Sequence, residues 1–282
     1  MRQDEQQPNE EGRDWPLPFN DLVKLPVFRR ICKETTRAVG EYSMLEEGDS
    51  VLVGLSGGED SISLMHVLCN LQRRAPFRFQ VHAVTIDMDF ADFNAQALAD
   101  YARFYGWNWH HLRFPGQRLL KEKQAEARPC AFCSRMRRGQ IHACADELGC
   151  NKIALGQHLD DLCVSLLLSL FRGGGLKTMG PNVPADTGSK RLIRPFCTIR
   201  KSLLHQLAQQ LEYPQIRSCP YEDRLKQDGD RAYLEQLVNS LEGRFQDIRG
   251  AMLKAMKDVR LAHLLDKRYL SFDAEDPDCG KL

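Results

Sequence analysis

Short apolar runs alternate along the chain with longer segments in which hydrophobic residues have helical spacing. Three runs are short enough to be buried strands, at residues 50–55, 79–86 and 152–155. Around them, apolar residues recur every three or four positions and predict helices over residues 26–42, 61–73, 95–105, 134–148 and 159–171. Strands and helices that alternate at this rhythm indicate an α/β fold with a doubly wound parallel sheet.

Unusual residues follow all three predicted strands. SGGEDS (56–61) comes after the first strand, Asp87 ends the second, and GQHLDD (156–161) comes after the third. In doubly wound sheets, ligands bind outside the carboxyl ends of the strands, and a glycine-rich turn before a helix points its N–H groups at an anion. The lysine of the ordinary phosphate-binding loop is missing here, so the turn predicts an anion site of another kind.

The chain divides by composition into one large unit and flanking segments. Residues 1–16 predict a disordered tail, residues 17–220 the α/β domain, residues 221–270 a helical extension, and residues 271–282 a mobile tail. Within the extension, residues 230–259 predict one long helix or a broken pair. Its expected apolar stripe, packed on the main sheet or on a partner subunit, consists of Tyr233, Leu237, Leu241, Ile248, Met252 and Met256.

Composition favours a cytosolic protein. No stretch approaches the roughly 20 apolar residues of a membrane span, and the first residues are polar and acidic where a secretory signal would be basic and then apolar. Ten cysteines in 282 residues are too sparse for a disulfide scaffold. We therefore expect no membrane association, and thiols or metal ligands in a reducing compartment.

Charge is unevenly distributed although the net charge is only +1. Residues 113–231 hold twenty basic and twelve acidic side chains, a difference of +8. This excess indicates either a phosphate-rich partner or an ordinary solvated surface.

A Cys-x-x-Cys pair, Cys130 and Cys133, lies at the start of a predicted helix, whose positive end favours thiolates. The spacing fits a zinc half-site, a redox pair or part of an iron–sulfur site, and does not separate them. Cys219, before Pro220, is the third candidate ligand, with Cys197 as a weaker substitute. The other cysteines considered are expected to be small buried hydrophobes: Cys32, Cys69, Cys144, Cys150 and Cys163.

Several segments carry a family resemblance. SGGEDS resembles the pyrophosphatase loop of the N-type ATP pyrophosphatases, which cleave ATP between its α and β phosphates to adenylate a substrate. CAFCSRMRRGQIHACADELGCNKIALGQHLDD, LFRGGGLKTM and RLIRPF are similar to the tRNA 2-thiocytidine synthase family, which thiolates cytidine in a tRNA anticodon loop. The resemblance extends from about Phe28 to Cys219. It implies an ATP-dependent tRNA sulfurtransferase that uses ATP, Mg²⁺ and a [4Fe-4S] cluster.

The resemblance and the chemistry together give roles to individual residues. The resemblance implies that Cys130, Cys133 and Cys219 hold the cluster and leave one iron without a protein ligand. The predicted nucleotide-binding residues are Ser56, Gly57, Gly58, Asp60, Ser61, Thr85, Gly156, His158 and Asp161. Asp160 joins Asp60 and Asp161 as a plausible Mg²⁺ ligand, and the predicted catalytic residues are Asp60, Asp161 and Arg194. The alternatives are helix caps for the aspartates, a local hydrogen-bonding role for His158 and a surface position for Arg194.

Glu59 departs from the family, in which a lysine commonly occupies this position. It places a carboxylate where a cation would help, and so predicts a looser or altered grip on the nucleotide. The glycine-rich segment 171–175 predicts a flexible loop that could close over a substrate.

Basic residues near these motifs would neutralise an RNA backbone: Arg135, Arg137, Arg138, Arg172, Lys177, Arg191, Arg194, Arg200 and Lys201. The expected partners are tRNA and a sulfur donor such as a cysteine desulfurase, with a homodimer as a further option. Two other functions stay open: an adenylating ligase or amidotransferase-type enzyme without sulfur chemistry, and a non-enzymatic nucleotide-binding iron–sulfur sensor.

Overall fold

One six-stranded sheet organises the protein. The computed structural model describes residues 16–91, 93–125, 129–186, 188–216, 219, 221 and 229–270. The predicted tail 271–282 and, except for Pro16, the predicted tail 1–16 therefore lie outside the described residues. The strands are β1 (Ser50–Gly54), β2 (Gln80–Asp87), β3 (Trp109–Arg113), β4 (Lys152–Ala154), β5 (Asn182–Pro184) and β6 (Arg191–Ile193). Their order is β3–β2–β1–β4–β6–β5, and every neighbouring pair is parallel except the antiparallel pair β5–β6. The predicted α/β class and parallel sheet are confirmed.

Helices cover both faces of this sheet. The α-helices of the described residues are α1 (Phe19–Leu22), α2 (Pro26–Glu41), α3 (Glu59–Arg74), α4 (Ala95–Phe104), α5 (Gly116–Glu122), α6 (Pro129–Glu147), α7 (Leu159–Phe171), α8 (Lys201–Leu211), α9 (Asp230–Glu242) and α10 (Ile248–Lys257). Two short 3₁₀ turns follow, at Leu261–His263 and Lys267–Tyr269. None of the helices within the described part of the chain is long and apolar enough to cross a bilayer.

The central strand β1 is buried on both faces and lies between two parallel neighbours. Val51, Leu52 and Val53 are fully buried, because β1 has a parallel neighbour on each side and helices on both faces. A strand in this position is a continuous apolar run. β3, β5 and β6 were not predicted, since β3 reads WHHLR and is only half-buried, while β5 and β6 have three residues each.

Helix α6 begins five residues earlier than the predicted start at residue 134. Pro129 occupies the first helical position, where its missing N–H costs nothing and its fixed φ favours the helix. Cys130 and Cys133 therefore lie inside α6, one turn apart on its surface.

The C-terminal helices decide between two predicted alternatives and correct the predicted apolar stripe. Residues 230–259 form the broken pair α9 and α10, and both helices pack against α7. The buried side of α9 consists of Ala232, Leu234 and Val238, whereas Tyr233, predicted to be on the apolar stripe, is 66% exposed. The face differs because Leu234 and Val238 have the same helical spacing as Tyr233 and Leu237, and contact with α7 selects between them.

A buried histidine on α3 lies in an aromatic cluster. His66 is fully buried, its Nε2 is 2.8 Å from the hydroxyl oxygen of Tyr101, and its ring meets Tyr105 and Trp107 edge-on. Tyr213 stacks on the other side at a centroid distance of 6.0 Å. Burial lowers the pKa of His66 to about 3, so the folded protein keeps this imidazole neutral.

This histidine predicts a loss of stability in mild acid. The unfolded chain takes up a proton on His66 below a pKa of 6.5 and the folded chain does not, so stability falls as the pH drops below that value. From about pH 7.5 to about pH 5, the free energy of unfolding should fall by roughly 2 kcal/mol more in the wild type than in His66→Gln. Urea unfolding at the two pH values measures the difference. His263→Gln, at an exposed position, should behave like the wild type, and equal pH slopes for the wild type and His66→Gln would refute the prediction.

Candidate active site

The turn after β1 is folded around the hydroxyl of Ser61. That oxygen donates to the carbonyl oxygen of Gly58 at 2.9 Å and accepts from the backbone N–H of Ser56 at 3.2 Å. Gly57 has φ +87°, a left-handed conformation that favours glycine, and Gly58 caps α3. The first N–H groups of α3 have no intrahelical acceptor, so the turn and the positive end of the helix are suited to an anion. The predicted nucleotide contacts of Ser56, Gly57, Gly58 and Ser61 stay predictions.

Gly156 lets the end of β4 touch this turn. A Cβ atom at Gly156 would lie 3.1 Å from the backbone carbonyl carbon and oxygen of Asp60 and 3.2 Å from the nitrogen of Ser61. Backbone atoms cannot yield as the end of a flexible side chain can, so the close approach requires glycine here. Its predicted contact with a nucleotide stays a prediction.

Thr85 supports the turn from β2. Its side chain is 1% exposed, and its hydroxyl donates to the carbonyl oxygen of Leu55 and accepts from the Trp109 indole, both at 2.8 Å. Both hydrogen-bonding functions of the hydroxyl are thus used within the protein. This geometry favours a positioning role for Thr85 over the predicted contact with nucleotide.

His158 lies among three aspartates. Its Nε2 is 3.3 Å from Oδ2 of Asp161 and 3.8 Å from Oδ2 of Asp60, and its Nδ1 is 3.6 Å from Oδ2 of Asp160. Burial lowers the pKa of His158, but the three carboxylates outweigh burial and leave that pKa above its usual value. The three carboxylates therefore favour the protonated form of His158, in which the ring reduces the repulsion among them.

The three aspartates are not equivalent. Asp160 accepts from the N–H of Lys201 at 2.8 Å and pairs with Nε of Arg249 at 2.6 Å. Burial opposes its ionisation, yet the nearby His158 ring, the backbone N–H of Lys201 and the charge of Arg249 lower the pKa of Asp160 to about 2. Asp161 accepts from the N–H of His158 at 3.2 Å, which is the helix-capping contact considered in the sequence. Asp160 is therefore a structural anchor, and Asp60 and Asp161 are the better candidates for Mg²⁺.

The sequence did not predict the cation opposite these acids. Nζ of Lys201, at the start of α8, lies 2.6 and 2.7 Å from the two carboxylate oxygens of Asp60 and 2.8 Å from Oε1 of Glu59. His205, one turn later, approaches the other oxygen of Glu59 at 3.1 Å. Glu59 is thus paired with basic side chains, and the predicted looser grip does not follow from its charge alone.

The structure brings the three candidate cysteines together. Burial raises the pKa of Cys133, Arg137 lowers it, and the nearby thiols of Cys219 and Cys130 raise it further. Tyr221, two residues after Cys219, packs on the apolar cluster that contains Cys133, and its ring meets Phe90 edge-on at 6.3 Å. Burial thus opposes the Cys133 thiolate that the helix end was expected to favour, and the predicted ligand role stays a prediction.

Cys197, the weaker substitute, lies elsewhere. It is 2% exposed in the hydrophobic cluster formed with α2, α3 and α8, and burial raises its pKa to about 12. The expectation of buried, inert thiols holds for Cys32, Cys144, Cys150 and Cys163, whereas Cys69 is only partly buried.

No group of three His, Cys, Asp or Glu side chains in the described ranges is gathered tightly enough for a single metal ion. The ligands of a four-iron cluster bind four separate irons and stand further apart than the ligands of one ion. The assignment of Cys130, Cys133 and Cys219 as ligands of a four-iron cluster therefore stays a prediction.

A small cavity connects the turn to the cysteine-bearing helix. Its volume is about 60 Å³, and its lining includes Gly54 and Ser56 from the turn and Arg137 and Ile141 from α6. Arg137 also acts electrostatically on Cys133. A much larger cavity of about 820 Å³ is lined by α2, the end of α3 and Phe79, before the amino end of β2, and so lies away from this edge.

Arg194 is buried at the carboxyl end of β6. The residue is 7% exposed, and its guanidinium donates to the side-chain oxygen of Gln157 and to the carbonyl oxygen of Gly180. Burial lowers the pKa of Arg194, and no carboxylate pairs with it among the residues that the structure describes. The alternative of a surface arginine is therefore wrong.

The other predicted RNA contacts are mostly engaged within the protein. Arg200 pairs with Glu242 and Asp247, Arg172 pairs with Asp230, and Arg191 binds Asn182. Four residues of the set are exposed, Arg135, Arg138, Arg172 and Lys177, and of these Arg138 also lies 3.8 Å from a carboxylate oxygen of Asp186. The glycine-rich loop is a hydrogen-bonded turn in which Ser169 Oγ donates to the carbonyl oxygen of Gly175 at 2.8 Å.

The chain is similar to known proteins over most of its length. A model of the PP-loop domain matches residues 29–217. The tRNA-cytidine(32) 2-sulfurtransferase of Syntrophotalea carbinolica is 37% identical over 259 residues, which cover 91% of this chain and 99% of that protein. The protein of the same name from Acidovorax ebreus is 35% identical and covers 86% of this chain and 77% of its own length.

Among solved structures, the U34-tRNA thiolase NcsA from Methanococcus maripaludis with its [4Fe-4S] cluster has a TM-score of 0.63. It covers 92% of this chain and 90% of its own at 16% identity, so this likeness shows the fold alone. The resemblance found in the sequence is confirmed. The chain belongs to the PP-loop proteins and, within them, to the tRNA-cytidine(32) 2-sulfurtransferase family.

Proposed function

We propose that this chain is an ATP-dependent sulfurtransferase that adenylates the carbonyl oxygen of a tRNA cytidine and replaces that oxygen by sulfur. The observation that supports it best is the cavity that joins Ser56 of the PP-loop turn to Arg137 beside Cys133. This cavity supports the proposal because it lies between the residues that would bind the nucleotide and the helix that carries two of the candidate cysteines. The names of the curated relatives favour this function over a sulfur-free ligase or a sensor.

The chemistry requires two substitutions. The carbonyl oxygen of the base attacks the α phosphorus of ATP and pyrophosphate leaves, so the oxygen becomes part of an AMP ester. A sulfur nucleophile then attacks the base carbon and AMP departs with the oxygen. The first step needs an anion site for pyrophosphate, and the second needs a sulfur atom within reach of the same base.

The turn supplies the first requirement. Its N–H groups and the start of α3 would receive the pyrophosphate, with the Ser61 hydroxyl fixing the shape of the turn. Asp60 and Asp161 would hold Mg²⁺, which prefers carboxylate and phosphate oxygens. The buried charge of Arg194 would lie against the anionic substrate and stabilise the negative charge that develops during adenylation.

The cysteines supply the second requirement. Cys130, Cys133 and Cys219 would hold a [4Fe-4S] cluster whose fourth iron has no protein ligand and can carry the sulfur atom. The sulfur would come from a donor such as a cysteine desulfurase. Arg135 and Arg138, exposed on α6, would contact the phosphates of a single-stranded tRNA loop, the kind of RNA whose bases a protein can splay out. We also propose that the protein acts in the cytoplasm and as a homodimer.

The first test is the reaction itself. Anaerobically reconstituted protein with ATP, Mg²⁺, sulfide and tRNA should release AMP and pyrophosphate and form 2-thiocytidine, detected by mass spectrometry of nucleosides. A transcript in which uridine replaces cytidine 32 tests the position. Pyrophosphate release without any thionucleoside would favour the sulfur-free ligase, and nucleotide binding without turnover would favour the sensor.

The second test concerns the cysteines. Each of the variants Cys130→Ala, Cys133→Ala and Cys219→Ala should lose most of the iron, the sulfide and the visible absorbance of the reconstituted protein. The reason is that removal of any one ligand leaves the cluster held by only two cysteines. Cys144→Ala is the matched control, since Cys144 is buried in the same apolar cluster as Cys133. Loss of iron in Cys197→Ala with retention in Cys219→Ala would reverse the assignment of the third ligand.

A further inference from the structure

Lys201 brings a positive charge to the PP-loop turn from a distant part of the chain. It is the first residue of α8, and its ammonium contacts three carboxylate oxygens on Glu59 and Asp60 within 2.8 Å. The side chains of Lys201, Glu59 and Asp60 are 35%, 26% and 31% exposed. The cluster is therefore partly exposed to solvent.

The ammonium stays charged in this position. Burial lowers the pKa of Lys201, but attraction to Asp60 and Glu59 outweighs burial and leaves that pKa above its usual value. The backbone N–H of Lys201 is held separately by Asp160 at 2.8 Å. The backbone contact with Asp160 thus fixes the start of α8, and the Lys201 side chain is not needed for that contact and reaches the turn.

The charges around the turn create a need for this cation. The N–H groups of the turn favour an anion, yet the first two helical residues after it, Glu59 and Asp60, both carry carboxylates that repel one. A Mg²⁺ ion bound by Asp60 would neutralise one of them. Glu59 would still face the phosphates with its negative charge, unless a cation remains bound to it.

We propose that Lys201 donates to the pyrophosphate part of the bound nucleotide and that Glu59 is the positioning residue that keeps its ammonium at the turn. The proposal rests on the ATP-dependent function proposed above. Glu59 retains Lys201 through its own contact at 2.8 Å when Asp60 turns to a metal ion. Lysine commonly stands at position 59 in the family that the sequence resembles. In this chain position 59 carries a carboxylate, and the positive charge comes from Lys201, which contacts that carboxylate.

An exchange of the two charges tests this arrangement. Since Glu59 and Lys201 touch, the double variant Glu59→Lys/Lys201→Glu should place an ammonium at the turn and a carboxylate on α8. Each single substitution should leave two like charges face to face. The proposal predicts that the exchange restores the nucleotide binding that Lys201→Glu loses.

Equilibrium binding of the Mg²⁺ complex of α,β-methylene-ATP, which is not cleaved, measures the effect without cluster, tRNA or turnover. Lys201→Met should weaken this binding about ten- to hundredfold, the range of a charge-assisted hydrogen bond. Lys201→Arg should recover most of the loss. Binding of AMP, which lacks the pyrophosphate, should change by less than about twofold in Lys201→Met, because only the pyrophosphate contact is removed.

Controls separate this contact from a structural role. Lys24→Met removes an exposed lysine that pairs with Asp21, and should bind the analogue like the wild type. Equal weakening of AMP and of the analogue in Lys201→Met, with a lowered melting temperature, would assign Lys201 to structure alone. Unchanged analogue binding in Lys201→Met, or an exchange variant no better than Lys201→Glu, would overturn the proposal. A wild type that does not bind the analogue would remove the proposed function together with it.

Discussion

The repulsion among four carboxylates at one edge of the sheet is the constraint that the surrounding structure must satisfy. Glu59, Asp60, Asp160 and Asp161 come from the starts of two neighbouring helices, α3 and α7, and the close contact at Gly156 brings these starts together. Like charges at this distance are tolerated only when cations share the space. The fold therefore places a cation from each of several other segments among them.

These cations tie distant elements to the site. His158 comes from the segment after β4, Lys201 from α8 and Arg249 from α10. The Arg249 side chain is 7% exposed, and it also pairs with Glu242 at 2.7 Å. The C-terminal helices therefore belong to the active-site scaffold, although composition alone suggested a separate extension.

The sequence predicted what depends on local pattern. The buried strands β1, β2 and β4, the turn with its glycine at φ +87° and the order of strand and helix follow from apolar runs and turn residues. It did not predict what depends on contacts between distant segments. Lys201 and Asp60 are 141 positions apart, and no periodicity in either segment indicates their pairing. The exposed face of α9 and the raised pKa of Cys133 were also set by tertiary burial, which outweighs local preference.

The turn after β1 and the region around Cys133 differ in their electrostatics. Around the turn, carboxylates are paired with cations; a phosphate would compete with the carboxylates for these cations, and Mg²⁺ would compete with the cations for the carboxylates. Around Cys133, burial opposes thiolate formation while Arg137 favours it, so these thiols ionise most readily when a metal centre takes up their charge. Because Arg137 also lines the cavity that reaches Ser56, one guanidinium faces both regions. The phosphate of a substrate adenylated at the turn would therefore be attracted to Arg137, the same residue that favours ionisation of Cys133. This attraction would keep the activated base close to the sulfur that replaces its oxygen.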